Sequence, residues 1–315
     1  MIILKDIVRF IFIIVFCIFS TNTAFAEQKG PVTKNQNIII ENELHAKARI
    51  ELSNSFYQIY RITERLARAN KLDGYSWRIA VSTDKNLTKN AYVQDKNLIV
   101  LSSDFVDAYA GNISALAFVI SHEMALKVLK NSAKITKYSE EFKTKIQDVD
   151  KLSSEDINNN ASKCYVLVSR KMATSLGSCM EQMQKEQIEN IKNNISKDFL
   201  DKQRQIESET DKEALIYMTK AGFNPNSAIG VLNFMKSIPQ ANNEETAASS
   251  LSDIRINNIS SVLKSLNSSS LRKEGRINIH NSKALTYEKS INGRSIRINS
   301  RYNSDEDPEK SFEKL

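Results

Sequence analysis

The sequence predicts a mainly helical α+β fold. Three observations carry that prediction. Apolar residues recur at three- and four-residue steps over about Ile38 to Asn70, Ala115 to Lys130 and Gln187 to Ala221. Three short β-rich runs are bunched between Trp77 and Leu101, and an Asn-Gly dipeptide interrupts alternating apolar positions near the C-terminal end. The first observation implies helices, the second a small sheet, the third a hairpin.

Composition sets the frame. At 315 residues, with 41% apolar and 26% charged residues, the chain is long enough for one large domain or two small ones. The start differs from the rest. Lys5 and Arg9 precede or open an apolar run from Phe10 to Phe19, and Ala24-Phe25-Ala26 has the small-x-small pattern of a secretory cleavage site. Residues 1–26 are therefore expected to be a signal peptide. The run falls short of the roughly 20 residues a spanning helix needs, and no later stretch approaches that length. Without residues 1–26 the formal charge falls from +7 to about +6. Basic residues do not cluster with aromatics, which argues against a nucleic-acid partner and leaves peripheral contact with an anionic membrane surface open.

Taken in order, Ile38 to Asn70 reads as one long helix, ended near Asp73-Gly74. Trp77–Ser82, Asn90–Val93 and Asn97–Leu101 read as strands separated by polar turns. Beyond Lys130 the chain is polar and helical for a long way, and methionines gather at Met172, Met180 and Met183, more often core packing than an adaptable client surface. Cys164 and Cys179 lie 15 residues apart, and a bridge between them would stabilise by roughly 3 kcal/mol. On one unbroken helix their Cα atoms would stand about 22 Å apart, so a bridge requires the chain to reverse near Ser175–Ser178.

The next helix, Gln187 to Ala221, should end at Gly222 in a left-handed cap, with Asn224 capping and Pro225 opening another that runs to about Ser237. Gln240 to Ser270 turns to Ser, Asn and Ala, the composition of a flexible connection around a weak helix at Ile259 to Leu266. Leu285, Tyr287 and Ile291 then face Ile296 and Ile298 across Asn292-Gly293, ahead of an acidic tail.

One imidazole is out of place in this pattern. Leu116, Val119, Ile120, His122, Leu126 and Leu129 share a helix stripe, and a buried histidine must find a partner or a metal. Glu123 follows it directly. His-Glu-x-x-His on a helix grips zinc because residues four apart share a face, while the Glu handles the proton of a metal-bound water. Here the fourth position is Leu126. Glu207 and Asp211, four apart on a later helix, offer a carboxylate ligand and a neighbour able to orient the site. In isolation such a pair would be an ordinary acidic face beside Lys212.

These blocks, Asn90-Ala-Tyr92, Leu116 to Ala125, Glu207-Ser-Glu-Thr-Asp211 with Ala214-Leu and Tyr217-Met, and Ala221 to Pro225, resemble the zinc metallopeptidases of the CAAX prenyl protease and HtpX type. The closer likeness is to the exported members that lack membrane spans. The resemblance covers about Tyr75 to Met235, with four blocks in the family's order. It implies a mostly helical gluzincin domain whose small sheet offers an edge strand to extended substrate. It implies His122 and Glu207 as zinc ligands, Glu123 as general base and Asp211 as support behind the ligands. Nothing corresponds to the second histidine, whose place is taken by Leu126. Members also often carry His-Pro ahead of an Arg-Ile pair; Arg276-Ile277 is present here, without a histidine before it.

Zinc catalysis in this geometry needs three protein ligands and an open position for water. The expectation is an exported, periplasmic or envelope metallopeptidase-like protein that binds extended or unfolded polypeptide, with zinc weak or absent and hydrolysis weak or lost. Two alternatives stand beside it: an active metalloendopeptidase that borrows His45 or His280 as the third ligand, and a structural partner in an envelope assembly. The expected organisation is a signal peptide over 1–26, a metallopeptidase-like domain over 27–238, a Ser/Asn-rich connection with a weak helix over 239–281, and a hairpin with acidic tail over 282–315.

Overall fold

The computed structural model describes residues 34–84, 91–94, 97–151, 161–170, 175–237 and 245–302. The expected signal peptide, Asn90, Met172 and the acidic tail lie outside them. The chain divides into two units, Met1–Asn42 and Glu43–Leu315. The described residues of the first, 34–42, are helical, and apart from them the features that follow belong to the second.

The single helix expected over Ile38–Asn70 is two: α1 (Lys34–Glu51) and α2 (Asn54–Ala69). Ser53 makes the break. Its backbone is extended, and its hydroxyl accepts a hydrogen bond from the Phe56 amide, capping α2. The face of α2 carrying Ile59, Ile62 and Leu66 is buried, and Tyr60 donates its hydroxyl to the Leu285 carbonyl at 2.8 Å.

Strands β1 (Trp77–Ser82), β2 (Ala91–Gln94) and β3 (Leu98–Ser102) follow. The C-terminal hairpin, β4 (Tyr287–Lys289) and β5 (Ser295–Ile298), turns at Gly293 with φ +68°, a value that favours glycine. It joins the same sheet, whose order is β2-β3-β1-β5-β4. β1 runs parallel to β3 and antiparallel to β5; the two outer pairs, β2 with β3 and β4 with β5, are antiparallel. Alternation then sends Trp77, Ile79, Ile99, Leu101, Ile296 and Ile298 into one core. Ile291, expected to face Ile296 and Ile298, is instead 97% exposed at the turn.

After the short α3 (Ser103–Ala108) comes the central helix, α4 (Ile113–Val128), capped by the Asn112 side chain on the Ala115 amide. The sequence suggested one apolar stripe. In the structure every residue from Ala115 to Leu126 is buried, because α2, the sheet and two later helices surround α4. Lys130, with φ +57°, turns the chain into α5 (Asn131–Asp150).

Helices α6 (Ala161–Ser169) and α7 (Leu176–Lys220) are bridged by a Cys164–Cys179 disulfide, Cα to Cα 5.7 Å. Ser175 caps α7 through the Ser178 amide, which places a chain break where a bridge requires one. Met183 lies beside this bridge, its sulfur 3.3 Å from that of Cys164.

At 45 residues, α7 begins well before Gln187 and ends as expected, with Gly222 at φ +86° and the Phe223 amide bonded back to the Met218 carbonyl. The next helix, α8 (Ser227–Ser237), starts two residues after Pro225, because the carbonyls of Asn224 and Pro225 first close a turn.

The stretch expected to be a connection around a weak helix at Ile259 to Leu266 holds two helices, α9 (Glu245–Ser265), which takes in most of that weak helix, and α10 (Ser268–Asn281). Ile259 of α9 is buried in the core, and α9 packs on α7 and α8. Gly275 of α10 lies so close to α7 that a Cβ there would overlap the Lys220 carbonyl. Serine and asparagine on the exposed faces of these helices hid their amphipathic pattern. Among the described residues, no helix is long and apolar enough to cross a membrane.

Candidate metal centre

The site forms where α4 crosses the second half of α7. The burial of α4 fixes the backbone of His122 and Glu123, whose residues are 8% and 5% exposed. On α7, Ile206, Thr210 and Ala214 face inward, and the same face presents Glu207 and Asp211. The two helices thus bring together residues 89 positions apart in the chain.

The imidazole is held from both sides. His122 Nδ1 lies 3.1 Å from Asp211 Oδ1, and Nε2 lies 3.5 Å from Glu207 Oε2. A ligating histidine characteristically gives one ring nitrogen to a carboxylate and turns the other to the metal, which is the arrangement here. Two donors about 2.1 Å from a tetrahedral zinc would stand about 3.4 Å apart. The spacing of Nε2 and Oε2 matches one edge of such a tetrahedron. Among the described residues, Glu207 Oε2 is buried and has an ion-pair neighbour, Arg255 Nη1 at 3.3 Å, but no hydrogen bond.

The third corner does not match. Leu126, one turn after His122, is 8% exposed and offers no donor. Asp211 cannot replace it: Oδ1 faces His122 Nδ1 and Arg255 Nη2, and Oδ2 accepts from Arg255 Nε. His45 lies elsewhere, 3.8 Å from Glu64 and edge-on to Tyr60, and His280 is exposed at the end of α10. Among the described residues, the donors grouped around His122 are Glu207 and Asp211 alone. Among the described residues, the site therefore presents two candidate zinc ligands, one fewer than the catalytic set needs.

Arg255, from α9, is the residue that the sequence reading missed. Its guanidinium forks onto Asp211, Nε to Oδ2 at 2.8 Å and Nη2 to Oδ1 at 2.7 Å, while Nη1 lies 3.3 Å from Glu207 Oε2. The Arg-Ile pair at the site is thus Arg255-Ile256. Arg276 and Ile277, singled out from the sequence, are exposed on α10. The signal was present in the dipeptide itself but sat in a stretch taken for a connection.

Electrostatics follow from this packing. Burial would raise the pKa of Asp211, yet the charge and hydrogen bonds of Arg255, together with His122, bring it down to about 2. Burial opposes a charge on His122, but the hydrogen bond to Asp211 and the negative charges of Glu207 and Asp211 outweigh both burial and Arg255, and its pKa is raised. Arg255 is held even more firmly protonated than usual, against its burial, by Asp211 and Glu207.

Compared with known families, residues 53–262 match Peptidase family M48. The match spans α2 to α9, so it includes Arg255-Ile256 and stops short of Arg276. No curated protein and no solved structure matches the chain.

Proposed function

The chain belongs to peptidase family M48, a family of zinc metallopeptidases, and from that premise we propose that it is an exported binding protein for extended or unfolded polypeptide in which peptide hydrolysis is weak or lost. The observation that carries this reading is Leu126. It occupies the helix position, one turn beyond His122, from which the second imidazole would reach the metal. Two ligands do not give the closed-on-three, open-on-one geometry that activates water, and Glu123 then has no metal-bound water to deprotonate.

What remains is a surface for polypeptide. β2 is an edge strand of the sheet and packs against α4, the helix that carries His122 and Glu123. An edge strand presents backbone donors and acceptors in a row, and an extended peptide can add to it without regard to its sequence. Half-buried Ala91, Tyr92 and Val93 give that edge an apolar lining. Contact with unfolded chains needs only this edge, which the loss of a ligand from α4 leaves unaltered.

The test is metal content and casein cleavage of the purified full chain, measured beside suppression of aggregation of a reduced, unfolded client. The expected result is zinc well below one per chain, no chelator-sensitive cleavage, and aggregation suppressed equally with and without chelator. One tightly held zinc with chelator-sensitive cleavage overturns the reading.

A further inference from the structure

We propose that α6 is a docking face for an anionic lipid surface, with Tyr165 and Val166 entering the headgroup layer while Arg170 meets lipid phosphate. The proposal does not depend on whether the site at His122 holds a metal or the sheet edge takes up polypeptide.

The bridge to α7 decides which side of α6 faces outward. Cys164 is fully buried, bonded to Cys179 and 3.3 Å from the Met183 sulfur. Leu167 and Val168, three and four positions on, share its side of the helix and are half-buried. The other side carries Tyr165 at 63% and Val166 at 48% exposure, with Arg170 exposed one turn after Val166. A lone exposed apolar residue is ordinary. Here two adjacent ones are held outward by a covalent clasp, and the charge around them has one sign.

From Ala161 to Met180 the sequence holds Lys163, Arg170 and Lys171 and no Asp or Glu. The first carboxylate beyond, Glu181 on α7, is paired with Lys185 at 2.8 Å. A cationic helix face set with a tyrosine suits the boundary of an anionic bilayer, where an aromatic ring sits at headgroup level and basic groups meet phosphate.

Size and shape argue against a protein as the occupant. Nine residues at the helical rise make α6 about 14 Å long. At a helix diameter of about 10 Å its outer side covers on the order of 150 Å², against about 800 Å² that each partner gives to a stable protein interface. That side is also convex, so it offers an extended peptide no groove. A bilayer sets no such minimum, because each basic residue near an anionic leaflet adds to affinity by itself, about fivefold apiece. The three in this stretch would together favour anionic over neutral lipid by about a hundredfold.

The experiment uses the full chain carrying Tyr165→Trp, beside a control carrying Tyr302→Trp at another exposed position, mixed with vesicles whose brominated acyl chains quench indole on contact. The native Trp77 is fully buried and out of reach of lipid. Vesicles are phosphatidylcholine alone or phosphatidylcholine with phosphatidylglycerol. The anionic vesicles should quench the Tyr165→Trp chain, the neutral ones far less, and high salt should abolish the effect. Adding Arg170→Glu should weaken vesicle binding, read by the same quenching, at least about tenfold. Vesicle binding through the apolar run Phe10–Phe19 without quenching at position 165 overturns the proposal, as does equal quenching by both vesicle types or in the Tyr302→Trp control. An emission shift of the Tyr165→Trp chain without vesicles, growing with protein concentration or on addition of unfolded casein, would assign the face to a second copy or to polypeptide and overturn it too.

Discussion

Nδ1 of His122 stands 3.1 Å from Oδ1 of Asp211, which fixes the plane of the imidazole and directs Nε2 toward Glu207. Such an orientation suits a metal ligand, on a helix that carries Leu126 where the zinc motif has its second histidine. This relationship sets the first prediction. Leu126→His should yield a chain that holds one zinc, measured by elemental analysis after gel filtration. Without zinc the same substitution should lower stability by about 1–3 kcal/mol, because a polar ring replaces a buried Leu. No zinc gain would mean that the face of α4 has closed over the vacated corner.

Asp211→Asn, added to the Leu126→His protein, should weaken zinc binding about 10- to 100-fold, since the amide cannot hold the imidazole as a carboxylate does. Calorimetric titration of both proteins checks it. An unchanged affinity would remove Asp211 from any part in placing His122.

Stability of the metal-free chain should fall on both sides of a plateau in pH. The pKa of Asp211 is depressed from 3.8 to about 2, so its contribution is whole above about pH 4 and is lost as pH falls through about 2. That limb is worth about 2 kcal/mol. The pKa of His122 is raised from 6.5, so its contribution is whole below pH 6.5 and is lost as pH climbs through the raised value. Urea midpoints across the pH range should show both limbs, with Asp211→Asn flattening the acid one and His122→Gln the alkaline one.

Gly275→Ala should destabilise by about 3 kcal/mol, because the added methyl overlaps the Lys220 carbonyl and α10 must move off α7. Thermal melting measures the loss. Gly230→Ala, where a Cβ would meet nothing within 4 Å, serves as the control and should leave the melting point unchanged or slightly raised.

Reduction of the Cys164–Cys179 bridge should speed amide exchange in α6 and the first turns of α7, with a loss of roughly 3 kcal/mol confined there. Exchange at Ile120 and Leu215, in the core around the site, should not change. Faster exchange at both places would show that the bridge supports the whole domain.

Much of this arrangement was legible before any coordinates. The periodicity around His122, the paired carboxylates at Glu207 and Asp211, and the β-rich runs ahead of α4 are local signals, and each depends on residues a few positions apart. Ser53 was overlooked because a single capping serine interrupts a periodic run without a glycine or proline to announce it. α9 was legible only at its C-terminal end, as the weak helix at Ile259 to Leu266, for a different reason. Its exposed Ser and Asn have weak helix propensity, and what makes it a helix is burial of Ile259 and the ion pair of Arg255, both tertiary. The residue most important to the charge of the site therefore sat in the segment least readable from the sequence.

α7 carries Cys179 in its first turn and Glu207 in its second half, without interruption. At the rise of an α-helix those residues are about 40 Å apart. α5 braces the rod between those points, through Phe142 stacked on Phe199 and Asp150 paired with Lys192, so one continuous helix ties the disulfide-clasped end to the rung that carries Glu207.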